Sequence, residues 1–556
     1  MSASHPEPAA AARELVDRYW EQLLELDPLI GTQIGDDRFD DRMPDSTEAG
    51  RAERTAIHES VLREIAGIDR SVLDQEHRSS VDVAEAVARR DLADTKLRFD
   101  RLAAVSHLFG PVQLLADIGT MQRADTPERL EKYVGRLRAM PAYLSGMQDS
   151  ARDGVASGVT APGLVIDRTI AQTERLLAMP LDESPALTAI SPDNANGREA
   201  ASAVISEEIM PAYERYLATL REYRPHATET IGLYQLPGGE ELYASQVIGW
   251  TTLNIAPEEA HQLGLDDFEK IQAERRAIAT GLGFPDDPAK AIAEHTAAGL
   301  NTATSKQDLL RLAEGQVERG WDASPRFFGK LPKAPCEVRL VEEFREADVP
   351  MAFYMPATED GSRPGMYYVN GFELDMLPLH VLASVSYHEA NPGHHFQISL
   401  EQEMAERPAM LRFGGQLAGA ALAEGWGLYC ERLADEMDLY LDEWERLGML
   451  GADAHRAARL VVDTGIHAFG WTRQKSIDLL MDGGVPLVDA EVETDRYITM
   501  PAQALSYKIG QHEISRLREE AAKREGSDFS LSEFHDRLLS LGELPLEALR
   551  RDMTPA

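Results

Sequence analysis

The sequence predicts a mainly α-helical fold with one small antiparallel β-sheet. Three observations lead there. Apolar residues recur at helical spacing through most of the chain, a short middle segment turns alternating and aromatic, and the helical period returns after Pro378. The stretch "AAAARELVDRYWEQLLELD" sets the pattern, with Leu15, Tyr19, Leu23 and Leu26 on one helical face. Residues 80–104, 127–150 and 199–223 repeat it with Pro or Gly between them, and a long helix is expected after Pro257.

In the middle, "CEVRLVEEF" (336–344) alternates as a half-buried strand does. The segments "MAFYMPA" (351–357) and "PGMYYVNGF" (364–372) are short and aromatic, and the turn "EDGSRPG" between them predicts antiparallel pairing. A linker is expected in "YRPHATETIGLYQLPGGE". It divides the chain into an N-terminal helical part, 1–240, and a part from 241 to 556 that holds the sheet (336–372) and the motifs described below; the alternative is one continuous domain.

The 556 residues include 94 acidic and 56 Lys or Arg residues, a formal charge of −38. Such a field repels phosphate backbones and anionic lipid, so the expected partners are small molecules, peptides or cations, not nucleic acid or membranes. Cys336 and Cys430 stand in no metal-binding spacing and fit a reducing compartment. The N-terminus has no basic and apolar leader, and no run of eighteen apolar residues occurs. A cytoplasmic protein is expected; its oligomeric state is open.

The stretch "SYHEANPGHHFQ" (386–397) carries the most chemistry. Zinc-binding helices place two histidines at i and i+4, on one face, with a glutamate after the first. Here His388 and Glu389 begin the motif, but the next histidines are His394 and His395. Along an ideal helix, seven residues rise roughly 10 Å. Ligands of one zinc lie only about 3–3.5 Å apart. Pro392 and Gly393 remove the conflict, because proline lacks the N–H that a helix needs and glycine accepts unusual dihedrals. A bulge or kink is therefore expected, with His394 the preferred second ligand and His395 the alternative or a supporting group. The bland reading is that His-Glu pairs are common, and His58-Glu59 and His512-Glu513 are two others. Three histidines and a glutamate within eight residues, after the apolar "LPLHVLASVSY", favour a metal.

A third ligand should come from another element. Glu424 in "GAALAEGWGLYCERLADEM" is set among apolar residues, where a carboxylate is paired or bound to a metal. It could equally be an ion-paired flank residue, and Glu431 shows that the helix carries such residues. In "HRAARLVVDTGIHAFGWTRQKS", Arg459, Asp463 and His467 share one helical face, so that Asp463 could orient His467. Tyr507, in "PAQALSYKIG", is a candidate donor to an oxyanion or else a core tyrosine.

Several of these blocks together resemble one family. "DGSRPGMYYVN", "HEANPGHHFQ", "EGWGLYCERL", "VVDTGIHAFGWTR" and "PAQALSYKIG" occur in the order seen in the bacterial domain of unknown function 885 family. The resemblance implies a large helical zincin-like metallopeptidase fold with a deep cleft. It implies one Zn2+ held by His388, His394 and Glu424, with His394 versus His395 left open, and Glu389 as general base. Ala502 stands where many relatives are expected to carry glycine. The expected function is zinc-dependent hydrolysis of peptide bonds in short peptides, carboxypeptidase- or oligopeptidase-like. His467 and Tyr507 would donate to the oxyanion, and Arg473 or Lys508 would hold a substrate carboxylate. The strand "MYYVN" would take an extended peptide on its edge, with Tyr368 and Asn370 in contact. The alternatives are a non-catalytic helical protein that binds peptide or metal, and a zinc amidase acting on non-peptide amides.

Overall fold

Helical periodicity becomes helix almost wherever it was read, and the chain is mainly α. In the computed structural model, residues 6–341, 346, 351–357, 364–372, 374 and 378–554 are described. The helix Pro6–Leu26 buries Leu15, Tyr19, Leu23 and Leu26, the four residues whose spacing predicted it. Among the described residues, no helix is long and apolar enough to cross a membrane.

The chain divides into two units. The first comprises Met1–Gln246 with Ile466–Arg473 and Asp495–Pro501; the second comprises Val247–Gly465, Gln474–Thr494 and Ala502–Ala556. A cut at 240 in the sequence thus falls near the end of the first unit's long segment. It misses the two later segments, because a fold can gather distant pieces of chain that no local composition marks.

In the first unit the helices Pro127–Ser157 and Met210–Tyr223 contribute buried side chains. Tyr213 and Tyr216 are fully buried and donate their hydroxyls to the carbonyls of Pro111 and Ala104. Such bonds let large aromatic side chains fill a core without stranding a polar atom.

In the second unit, β1 (Cys336–Leu340), β2 (Ala352–Met355) and β3 (Gly365–Val369) form one sheet in the order β1-β3-β2. The sheet is mixed, not antiparallel as expected: β2 pairs antiparallel to β3, but β1 runs parallel to it. The reason lies in β3, which is buried at every position. Tyr367 and Val369 pack into a core with Leu309, Ala313, Val317 and Leu382, while Met366 and Tyr368 pack with Val341 on the other face. A strand buried on both faces suits the sheet centre, so β1 fills the edge that a simple hairpin would leave open. Of the turn "EDGSRPG" (359–365) expected between β2 and β3, residues 359–363 lie outside the described residues, and Gly365 already opens β3. The helix that follows the sheet, Leu379–Glu389, carries the first motif histidine.

Candidate metal centre

The histidine helix Leu379–Glu389 stops at Glu389, and a second helix begins at His394 and runs to Gln402. The expected bulge is a complete break. Ala390 leaves helical dihedrals at φ −107°, ψ −111°, the Asn391–Pro392 bond is cis, and Gly393 has ψ −129°. Gly393 folds back so tightly that a Cβ there would lie 1.8 Å from the His388 carbonyl oxygen, which only glycine permits. Carbonyls freed by the break find a donor in Trp426, whose Nε1–H reaches the oxygens of Pro392 at 3.0 Å and Gly393 at 3.3 Å. His394 is thereby brought beside His388, ring centroids 4.6 Å apart and nearly perpendicular.

Glu424 comes from the helix Ala421–Glu436. Its Oε2 lies 3.6 Å from His388 Nε2 and 3.8 Å from His394 Nε2. One donor atom from each of the three residues falls within 4.8 Å of the others. Zinc bonds of about 2.0–2.2 Å in tetrahedral geometry set donors about 3.3–3.5 Å apart, and the two glutamate–histidine separations exceed that by only a few tenths of an ångström. The two helices approach closely because position 427 is glycine: a Cβ there would lie 2.6 Å from the His388 ring.

The titratable groups of the cluster shift one another. Burial alone would lower the pKa of His388, but hydrogen bonds to Glu424 and Glu431 raise it to about 10. Burial would raise Glu424, yet the bond from His388, the charges of both histidines and the Tyr507 hydroxyl bring it to about 2. His394, buried and beside a positive His388, is pushed down to about 4. Burial raises Glu389 to about 7, helped by the Glu424 charge and opposed by His388, Arg456 and the backbone N–H of Tyr354. A carboxyl near 7 can both take and give a proton at neutral pH.

Two contributors escaped sequence reasoning. Glu431, read as an ordinary helix carboxylate, sits behind His388, one of the candidate ligands. Its Oε1 accepts from His388 Nδ1 at 2.9 Å, and its Oε2 accepts from the Ser384 hydroxyl. That bond keeps a proton on Nδ1 and orients the ring so that Nε2 is the nitrogen facing Glu424 and His394, as carboxylates behind metal-binding histidines do. A signal existed: 424 and 431 are seven residues apart, on one helical face. Tyr354 also escaped; its N–H steadies Glu389 and its hydroxyl meets His395, and nothing in "MAFYMPA" marks it.

Tyr507 lies at the site, its hydroxyl bonded to Glu424 and its ring under the Arg459 guanidinium at 4.1 Å. Glycines 425 and 510 let the two helices meet, since a Cβ on either would press on the other's backbone within 3 Å. Ala502 has φ 68°, the left-handed conformation that glycine prefers, which accounts for the glycine expected in relatives.

Six expected site residues are engaged elsewhere. His395 points away from His394, as adjacent helical residues must. Its Nδ1 accepts from the Tyr354 hydroxyl at 2.9 Å and its Nε2 donates to the Ala334 carbonyl at 3.1 Å, so neither nitrogen is left for a metal. His467, in the first unit, accepts from the Leu233 N–H and donates to the Tyr497 carbonyl at 2.9 Å. It has no proton to offer an oxyanion, and Asp463 does not orient it; the Asp463 carboxylate accepts the Ala502 N–H instead. Lys508 is buried against Asp453 at 2.6 Å and Gln511 at 2.7 Å. Arg473 forks onto Asp495 at 2.7 and 3.0 Å. Neither cation is open to a substrate carboxylate. Tyr368 stacks on Phe353 at 4.9 Å, on the sheet face opposite Tyr367; it is Tyr367 whose hydroxyl reaches the histidine helix, at Ser386. Asn370 donates to the Glu346 carbonyl and accepts from the Phe372 N–H, holding the chain after β3. With β3 in the centre of the sheet, no peptide can add to its edge.

The sequence matches the family described as "Bacterial protein of unknown function (DUF885)" over residues 28–553. The chain belongs to that family. Two solved structures are similar to this DUF885 chain. One, described as a candidate lipoprotein from Colwellia psychrerythraea, is 23% identical with a TM-score of 0.89, covering 98% of each chain. The other, a candidate lipoprotein of unknown function from Shewanella oneidensis, is 19% identical with a TM-score of 0.75, covering 97% of this chain and 98% of that one. These likenesses establish a shared fold. No functionally curated protein matches this DUF885 chain significantly.

Proposed function

We propose that this DUF885 protein is a zinc-dependent hydrolase of peptide bonds in short peptides, with a zincin-like fold and cleft around the metal. The observation that carries the reading is the convergence of His388, His394 and Glu424 on one point, with Glu389 directly beside them. Two imidazoles and a carboxylate suit zinc and leave a fourth position for water or substrate, the arrangement of catalytic rather than structural sites. When bound, zinc polarises a carbonyl and lowers the pKa of its water to about 7.

The chain's own residues supply the rest. Glu389 takes the proton of the attacking water and passes it to the leaving amine, a role its carboxyl at about 7 fits. The Tyr354 N–H holds Glu389 in place for that transfer. Tyr507, whose hydroxyl bonds to Glu424 in the structure, would turn from that carboxylate to donate to the developing oxyanion once Glu424 binds the metal. Glu431 keeps His388 aimed. A protein that only captured peptide or metal would have no use for a carboxyl set near neutrality beside the ligands, which supports catalysis.

The test is metal analysis and cleavage of a defined peptide library by wild type and Glu389→Gln. The variant should keep its zinc and lose about 10²–10⁴-fold in rate. Undiminished cleavage by Glu389→Gln, or cleavage that survives removal of the metal by a chelator, contradicts the proposal. Cleavage of simple amides but not peptides would redirect it to the amidase alternative. The cytoplasm is the proposed location, supported by the unpaired cysteines; cell fractionation checks it against the lipoprotein description of the two similar structures.

A further inference from the structure

Other interior cations near the proposed active site are engaged by carboxylates. Lys508 is held by Asp453, and Arg432 by Asp453 and Glu274. Arg456 differs. Its Nε is buried with no hydrogen-bond partner, and one terminal nitrogen reaches only the Ala452 carbonyl, at 3.4 Å. Among the described residues, no carboxylate stands in ion-pair contact with it. Arg456 is half-buried, and in a chain with 94 acidic residues against 56 Lys and Arg the lack of an acidic partner is unexpected.

Arg456 and Arg459 are three apart on the helix Glu443–His467, and so share a face. Arg459 lies over Tyr507 at 4.1 Å, and the Tyr507 hydroxyl meets Glu424. The Arg456 charge also reaches Glu389. A guanidinium with no acidic partner therefore stands near both the candidate ligands and the base. Guanidinium binds carboxylate in a planar two-point fork. The net charge of −38 would repel an anionic substrate, so such a substrate needs a local cation.

We infer that Arg456 is the receptor for the free α-carboxylate of the peptide substrate, so that the protein removes residues from the carboxyl terminus. The inference rests on the peptidase reading above and narrows it to an exopeptidase. It also reassigns the carboxylate-binding role expected of Lys508 or Arg473 to a residue with no acidic partner among the described residues.

The test separates binding from turnover. Calorimetry on zinc-loaded Glu389→Gln protein compares three probes: a short N-acetylated peptide with a free carboxyl terminus, its carboxy-terminal amide, and an amide ending in glutamate. The free acid should bind about 10- to 100-fold tighter than the plain amide, the scale of one charge-assisted hydrogen-bonded pair. Adding Arg456→Gln, or Arg456→Met in parallel lest one variant misfold, should erase that preference, and Arg456→Lys should keep part of it. A preference that survives both neutral variants overturns the inference. So does equal binding of acid and amide by the parent, or binding of neither. An Arg456-dependent preference for the glutamate amide equal to that for the free acid overturns the α-carboxylate assignment. Wild type that binds with this pattern but cleaves nothing would sink the peptidase reading while leaving Arg456 as a carboxylate receptor.

Discussion

Replacing Glu431 with alanine removes the acceptor that fixes the His388 ring. In the wild type His388 Nδ1 lies 2.9 Å from Glu431 Oε1, and the carboxylate is only 1% exposed. A hydrogen bond to a charged group contributes about 1.5–3 kcal/mol, and each 1.4 kcal/mol is a factor of ten. Loss of that bond should therefore weaken zinc about 10- to 100-fold, the range usual for carboxylates behind ligating histidines. Glu431→Gln keeps an acceptor oxygen and the shape but not the charge. It should lose about half as much free energy, roughly 3- to 10-fold in affinity. Competition against a chromogenic zinc chelator measures both, with circular dichroism to check folding. If both variants hold zinc within about twofold of wild type, Glu431 does not aim His388 and the account of the centre is wrong.

Other predictions follow from the same geometry. Gly427→Ala puts a methyl 2.6 Å from the His388 ring, and the shift it forces should cost about 1–3 kcal/mol of stability and reduce zinc content, read by melting temperature and elemental analysis. His394→Ala should lose the metal, while His395→Ala should keep it and lose only the bonds to Tyr354 and Ala334; equal metal loss in both would refute the assignment. Burial pushes Asp453 up, but Lys508 and Arg432 outweigh it and hold its carboxyl at about 2, below the ordinary 3.8. Because the folded value is depressed, its contribution of about 2 kcal/mol is present above pH 3.8 and lost as pH falls toward 2. Denaturant titrations at successive pH values should therefore show a shallower acid loss of stability in Asp453→Asn than in wild type.

The residues of the candidate metal centre were legible because chemistry and spacing coincide in "HEANPGHH", where a proline and a glycine announce that a regular helix cannot continue. Glu424 could be proposed from its apolar setting. Glu431, in an equally apolar setting, could not be separated from it, since whether a carboxylate faces an imidazole depends on how two helices dock. Arg456 was invisible for the same reason. An arginine in a helix looks alike whether or not an acid from another element meets it. His467, Lys508 and Arg473 misled because their partners, Tyr497, Asp453 and Asp495, lie 22 to 55 residues away along the chain.

The order of residues alone determined that the chain is helical, where the sheet falls, and that the helix is distorted between His388 and His394; period, proline and glycine act locally, within a turn or two. The tertiary structure decided which histidine of the adjacent pair meets Glu424, which strand lies in the centre of the sheet, and which charges are already neutralised. Those outcomes depend on docking between elements distant in sequence, and the energies of burial and pairing that settle them exist only once the elements are packed.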